Sequence, residues 1–160
     1  MYSCWKQLFK VLDIANDLHT DLRGSYSNCC WSNSMNREHL FSFCLLELHE
    51  IYAVVTCNEG VHIDFNEIQV IEAVLQKVYS GKKFGMIANR ENHYSVNPLA
   101  IKKLFSDKCL IAGAIVGSEF ITRINAEIEN EIVDGAPIGF FTNMSTAIKW
   151  IEDKVGEGKN

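Results

Sequence analysis

The chain has 160 residues, 48% hydrophobic and 22% charged, with a net charge of −5 and a pI of about 5.5. That is the length of one ordinary domain with room for an extension, and enough apolar material for a core. An acidic chain with no Lys/Arg stripe matches phosphate backbones poorly, so nucleic acid is excluded as the expected partner.

Residues Tyr2 to Leu22 place Trp5, Leu8, Phe9, Leu12, Ala15, Leu18 and Leu22 at helical spacing. Polar residues fall largely on the other face, which predicts an amphipathic helix. Gly24 to Ser34 is rich in Ser and Asn and reads as a linker. The expectation is an appended helix and linker over residues 1–34, with Met35 as a natural start and a domain over 37–156. The alternative for the helix is docking on a partner or a membrane surface, although its polar face is not strongly basic.

From Phe41 the elements alternate regularly. Phe41 to Leu48 and Ile51 to Cys57 read as strands rich in β-branched and aromatic residues, joined at His49-Glu50. So short a join predicts an antiparallel pair. Asp64 and Glu67 form a capping box ahead of a helix that buries Ile68, Ile71, Val74, Leu75 and Val78 and ends at Gly81. Phe84 to Ala88 is a short apolar run, expected as the central strand. A polar loop follows, Asn89-Arg90-Glu91-Asn92-His93-Tyr94-Ser95. Asn97-Pro98 then caps and opens a helix with Ile101, Leu104 and Phe105 inward.

Leu110 to Val116 is continuously apolar, which suits a strand covered on both faces. Gly117-Ser118 leads to a helix carrying Ile121, Ile124, Ile128 and Ile132. Ile138 to Phe141 is the last strand. Asn143 caps a final helix with Ala147, Ile148, Ile151 and Val155 inward and its end at Gly156. The order β-β-α-β-α-β-α-β-α predicts an α/β domain with a single mixed, mostly parallel five-stranded sheet and crossover helices.

Six cysteines stand at positions 4, 29, 30, 44, 57 and 109, with no C-x-x-C pair. Cys44, Cys57 and Cys109 lie in apolar runs, where a free thiol behaves as a small hydrophobe. That spread points to a reducing compartment. No apolar run approaches the ~20 residues of a membrane span, and no signal-peptide pattern opens the chain. The expected location is the cytoplasm.

From about Phe41 to Val155 the pattern resembles the STAS/SEC14-like small α/β family, in particular its short bacterial members of the Bacteroidetes type. The residues that carry the resemblance are Val55-Thr56-Cys57-Asn58-Glu59-Gly60, Asn89-Arg90 with Tyr94-Ser95-Val96-Asn97-Pro98, and Phe140-Phe141-Thr142-Asn143 with Ala147-Ile148-Lys149-Trp150-Ile151. The resemblance implies a STAS-like fold and a non-enzymatic regulatory or protein-binding module. It also implies a phosphorylated Ser at the start of the helix after the central strand. Ser95 lies near that place, without the usual Asp-x-Ser context. The SEC14-like side of the resemblance implies a lipid, for which a domain of this size has little core to hollow out.

Ligands of parallel sheets sit outside the carboxyl ends of the strands. That edge collects the expected site: Asn58, Glu59, Asn89, Arg90, His93, Tyr94, Ser95 and Ser118. Helix N-termini and Arg90 there suit an anion, so a phosphoryl group or an acidic segment is one expected contact. The bland alternative is that Arg90 pairs with Glu91 or Glu59 while Asn and Ser satisfy loop backbone.

A protein partner is the leading expectation. A small anion, nucleotide or lipid is the alternative, and a hydrolase using His93 and Ser95 is weaker still. No nucleophile elbow precedes Ser95, and no Asp is placed to orient the imidazole. His62-x-Asp64 lacks a third metal ligand, and Cys4, His19, Cys29 and Cys30 lack zinc spacing. No metal, cofactor or catalytic residue is therefore expected, and the oligomeric state stays open.

Overall fold

The computed structural model describes residues 37–117 and 136–158. The chain divides into two units, Met1–Ser34 and Met35–Asn160, and everything below concerns the second. The expected helix over 2–22, the expected helix over 118–132, and Ser118 lie outside the described residues.

Among the described residues, eight strands and three helices follow in order: β1 (Arg37–Leu40), β2 (Cys44–Leu48), β3 (Tyr52–Cys57), β4 (His62–Ile63), α1 (Phe65–Tyr79), β5 (Phe84–Asn89), β6 (Ser95–Val96), α2 (Pro98–Leu104), β7 (Leu110–Val116), β8 (Ile138–Phe141) and α3 (Met144–Glu157). The main sheet runs β1-β2-β3-β5-β7-β8, and β4-β6 form a separate two-stranded sheet. β1, β2 and β3 pair antiparallel; β3, β5, β7 and β8 pair parallel. The fold is the expected α/β type with a mixed, mostly parallel sheet.

Two details differ from expectation. The sheet has six described strands, not five, because Arg37–Leu40, ahead of the segment read as a strand from Phe41, is a strand of its own and that segment opens with a hairpin turn. Phe41 N–H donates to the Cys44 carbonyl at 2.8 Å, turning the chain at Ser42-Phe43. Arg37 to Leu40 then lies antiparallel on β2, with Leu40 opposite Leu45. The turn contains none of the Gly, Asn or Asp residues that announce a hairpin. The last helix also runs on through Gly156 to Glu157. The first helix ends as a left-handed pair, Ser80 at φ 44° and Gly81 at φ 82°.

The strands alternate between two cores. Ala53, Val55 and Cys57 of β3 join Phe84 and Met86 under α1 and α2, where Ile68, Ile71, Leu75 and Leu104 meet them. Val54, Ile87, Ala112, Ala114 and Val116 face the other way, onto Ala147, Ile151 and Val155 of α3. β5 and β7 are thus covered on both sides, which is why their sequences are continuously apolar. β2 alternates buried and half-buried positions, as a strand with one packed face should.

Glycine lets α3 approach the sheet. A Cβ on Gly85 would stand 2.4 Å from Ile151 Cγ2. On the other face, a Cβ on Gly113 would stand 2.5 Å from Phe105 Cζ. Trp150 sits at the core edge, its ring 5.5 Å from that of Phe141.

Candidate functional site

β3, β5, β7 and β8 end on one edge, at Cys57, Asn89, Val116 and Phe141. Arg90 N–H donates to the Val116 carbonyl at 2.8 Å, and Gly117 N–H to that of Phe141 at 3.0 Å. The loops after β3 and β5 then pair with each other. Gly60 N–H reaches the His93 carbonyl at 2.7 Å, Ser95 N–H that of Val61 at 3.0 Å, and Asn97 N–H that of Ile63 at 2.9 Å. Gly60 holds φ 73°, a left-handed conformation that carries no Cβ penalty for glycine.

This pairing places β4 parallel to β6, His62 opposite Ser95 and Ile63 opposite Val96. The next position of each segment is a helix cap. Asp64 Oδ1 accepts from Phe65 N–H at 2.8 Å, and Asn97 Oδ1 from Leu99 N–H at 3.0 Å. Asn97 Nδ2 also donates to Asp64 Oδ1 at 2.8 Å. Glu67 completes the capping box by accepting from Asp64 N–H at 2.9 Å. These two donors to the Asp64 carboxyl, Phe65 N–H foremost, hold it below its ordinary range.

Seven of the eight expected site residues fall on this rim. Asn58 is exposed, its Nδ2 donating to the Ser42 carbonyl at 2.9 Å. Asn89 Nδ2 lies 3.3 Å from Thr56 Oγ1. Glu59 accepts from His93 N–H at 2.7 Å, and its other oxygen lies 3.8 Å from His93 Nδ1. Asn92, not singled out from sequence, ties the loop down through Nδ2 to the Cys57 carbonyl at 2.8 Å. The half-buried Arg90 lays its guanidinium over the Tyr94 ring, 5.0 Å from the centroid, and its Nε is shut off from solvent.

A cavity of about 60 Å³ lies directly below that pair. Among the described residues its walls are almost wholly apolar, with Val55, Cys57, Met86, Val96, Ile101 and Leu104 facing Arg90 and Tyr94. Burial pushes the Cys57 thiol up to about 11, while a hydrogen bond with Tyr94 and the nearby Arg90 pull it back.

One expectation is corrected. His93 and Ser95 are not a dyad: Ser95 Oγ lies 2.7 Å from His62 Nδ1, and His93 goes to Glu59. Ser95 belongs to a strand, and parallel pairing sets a residue of the neighbouring strand against it. No buried carboxylate stands behind the pair among the described residues. Asp64, Asn97 and Asn143 cap the starts of α1, α2 and α3 with their own oxygens. His62 and Asp64 have no third metal ligand: among the described residues no three His, Cys, Asp or Glu side chains group so as to hold an ion.

Sequence reasoning missed His62 as the partner of Ser95, although a signal existed. His62-Ile63-Asp64 and Ser95-Val96-Asn97 share one pattern: a polar residue, a β-branched apolar one and a cap. It also missed Phe65 and Leu99, 38% and 61% exposed in the first turns of α1 and α2.

No protein-family model matches this chain, and no curated protein matches it. Among solved structures, the chain is similar to an uncharacterised protein of the DUF3478 family with a SpoIIAA-like fold, from Shewanella loihica PV-4. The likeness covers 75% of this chain and 99% of that one, at a TM-score of 0.52 and 14% identity. The fold is therefore SpoIIAA-like, the STAS-like architecture, and at that identity the likeness speaks to fold alone. Among the described residues, no helix is long and apolar enough to cross a membrane.

Proposed function

We propose that this chain is a non-enzymatic interaction module of STAS-like type that binds a protein partner through the paired loops 58–64 and 89–97. One observation carries this reading. Main-chain bonds lock the two loops together, while Glu59, His62, His93, Ser95 and Leu99 remain exposed on them or just beyond. Such a face is ordered before binding, so little entropy is lost on contact. Among the described residues, two of the three exposed large hydrophobics, Phe65 and Leu99, stand beside it. The Arg90 guanidinium offers an acidic group of the partner a forked donor.

The cavity under Arg90 and Tyr94 favours a second reading, a small apolar ligand with an anionic end. Its 60 Å³ is far below the ~300 Å³ at which ordinary ligand pockets begin. A nucleotide or lipid would have to lift the 89–97 loop and break its bonds to 60–63. The partner reading needs no such opening and is preferred.

The test is affinity capture with the full chain from cells that produce it, wild type against Arg90→Ala and Leu99→Asp. A protein retained by wild type and lost with both variants, then rebinding the purified chain, supports the reading. Equal capture by all three overturns it. A small molecule released from purified chain on unfolding would instead select the ligand reading.

A further inference from the structure

We propose that Cys44 and Cys57 form a reversible cross-strand disulfide, made when hydrogen peroxide oxidises Cys57 from the cavity beneath Tyr94. The two residues are direct partners across β2 and β3. Directly opposed residues of an antiparallel pair point to the same face, and both belong to the same core, 0% and 3% exposed. Both are free thiols here.

The hydrogen-bond pattern fixes which kind of pair they are. Asn58 N–H donates to the Phe43 carbonyl at 2.9 Å, so 43 and 58 form the hydrogen-bonded pair. The Cys44 carbonyl is used on the other side, accepting from Phe41. By alternation 44 and 57 are a non-hydrogen-bonded pair, in which Cα atoms approach to about 4.5 Å. That lies within the ~4.4–6.8 Å window that disulfides span. The sulfurs can therefore be joined with little movement of the strands.

The cavity supplies access and order. Cys57 lines it and Cys44 does not. Its 60 Å³ compares with a water's ~30 Å³ share of the liquid, so peroxide fits and a bulky disulfide such as oxidised glutathione does not. Burial raises both thiols, but Tyr94 and Arg90 pull Cys57 back down, whereas the negative charge of an ionised Cys57 would raise Cys44 further. Lining the cavity, Cys57 is thus the residue that reacts with peroxide and Cys44 the one that resolves.

The Cys57 thiolate displaces hydroxide from peroxide, breaking the O–O bond and forming a sulfenic acid. The Cys44 sulfur then attacks that sulfur. The S–O bond breaks, and its oxygen leaves as water with the Cys44 proton. Two thiols and one peroxide give one disulfide and two waters. The Cys57 sulfur turns toward β2 and gives up its bond with Tyr94, which loosens the 89–97 loop from below.

The experiment uses the full chain with Cys4, Cys29, Cys30 and Cys109 replaced by Ser, treated with peroxide and alkylated. Digestion with trypsin and a glutamate-specific protease cuts after Glu47 and Glu50, between the two cysteines. The expected product is a 44–57 linked peptide, with two thiols lost per chain and both recovered with dithiothreitol. In Cys44→Ser the link disappears and dimedone traps Cys57. In Tyr94→Phe the link forms several-fold more slowly. Sulfinic acid on Cys57 beside an intact Cys44 thiol overturns the proposal, as does resistance of both thiols to millimolar peroxide. If the serine variant fails to fold, the unmodified chain is mapped in the same way, and the presence or absence of the 44–57 link decides.

Discussion

Asn97 and Asp64 meet through a side-chain hydrogen bond of 2.8 Å, so the cap of α2 is bound to the cap of α1. Each cap also serves its own helix, and the link makes the two helix starts one unit. Asn97→Ala should lower stability by about 1 kcal/mol, the usual cost of a lost N-cap. Asp64→Ala should do the same in direction. The two should be non-additive in a urea-melt double-mutant cycle, as residues sharing one bond are. Strict additivity would show the link to be without energetic weight.

Asp64 also predicts how the fold responds to acid. Its folded pKa lies below the ordinary carboxyl value of 3.8, because Phe65 N–H and Asn97 donate to the ionised form. A depressed carboxyl contributes stability at pH values above its unfolded pKa, and that contribution fades as pH falls through the folded value. Wild type should therefore lose part of its stability below about pH 4. Asp64→Asn should be less stable at neutral pH and show a flatter acid limb in melting temperature against pH.

Gly85 lies against Ile151 with no room for a methyl group. Gly85→Ala should cost about 1–3 kcal/mol, the range for overpacked cores. Ile151→Ala leaves a cavity and should itself cost about 2–5 kcal/mol. The double variant should be clearly better than the sum, because the new methyl enters the space the isoleucine vacates. Chemical denaturation of the four proteins measures this.

Tyr79 is buried, stacked on Phe84 at 4.2 Å between centroids. Its hydroxyl is shared between the carbonyls of Tyr52 at 2.5 Å and His49 at 3.0 Å. It anchors the β2–β3 turn to the end of α1. Tyr79→Phe should lower stability by about 1–2 kcal/mol, since the His49 carbonyl loses the hydroxyl and that of Tyr52 keeps only His49 N–H. Faster amide exchange should be confined to the turn at 49–52.

Tyr94 bears on Cys57 from the rim. Its hydrogen bond is one of two influences lowering a thiol that burial has raised to about 11. Tyr94→Phe should push it higher still. The pH profile of alkylation at Cys57, read peptide by peptide, should shift toward alkaline pH while that of Cys109 stays put.

Much of the architecture was legible in the chain because the signals were local. The apolar runs at 84–88 and 110–116 declared strands covered on both faces. Asp64, Asn97 and Asn143 declared helix starts through side chains that bond backbone one to three residues away. The hairpin before Cys44 was not legible, because a turn at Ser42-Phe43 has no glycine or asparagine to mark it. Within the rim, residue types pointed to the right loops but not to the right pairs. His93 stands two places from Ser95 and bonds elsewhere, while His62, thirty-three places away, lies beside it.

What the sequence determined by itself was periodicity, caps and the order of elements, because each depends on neighbours within a few residues. Only the tertiary structure decided register: that β4 lies on β6, that Asp64 meets Asn97, and that Cys44 faces Cys57. Register is set by main-chain bonds between distant segments, and a shift of one residue turns every side chain to the opposite face.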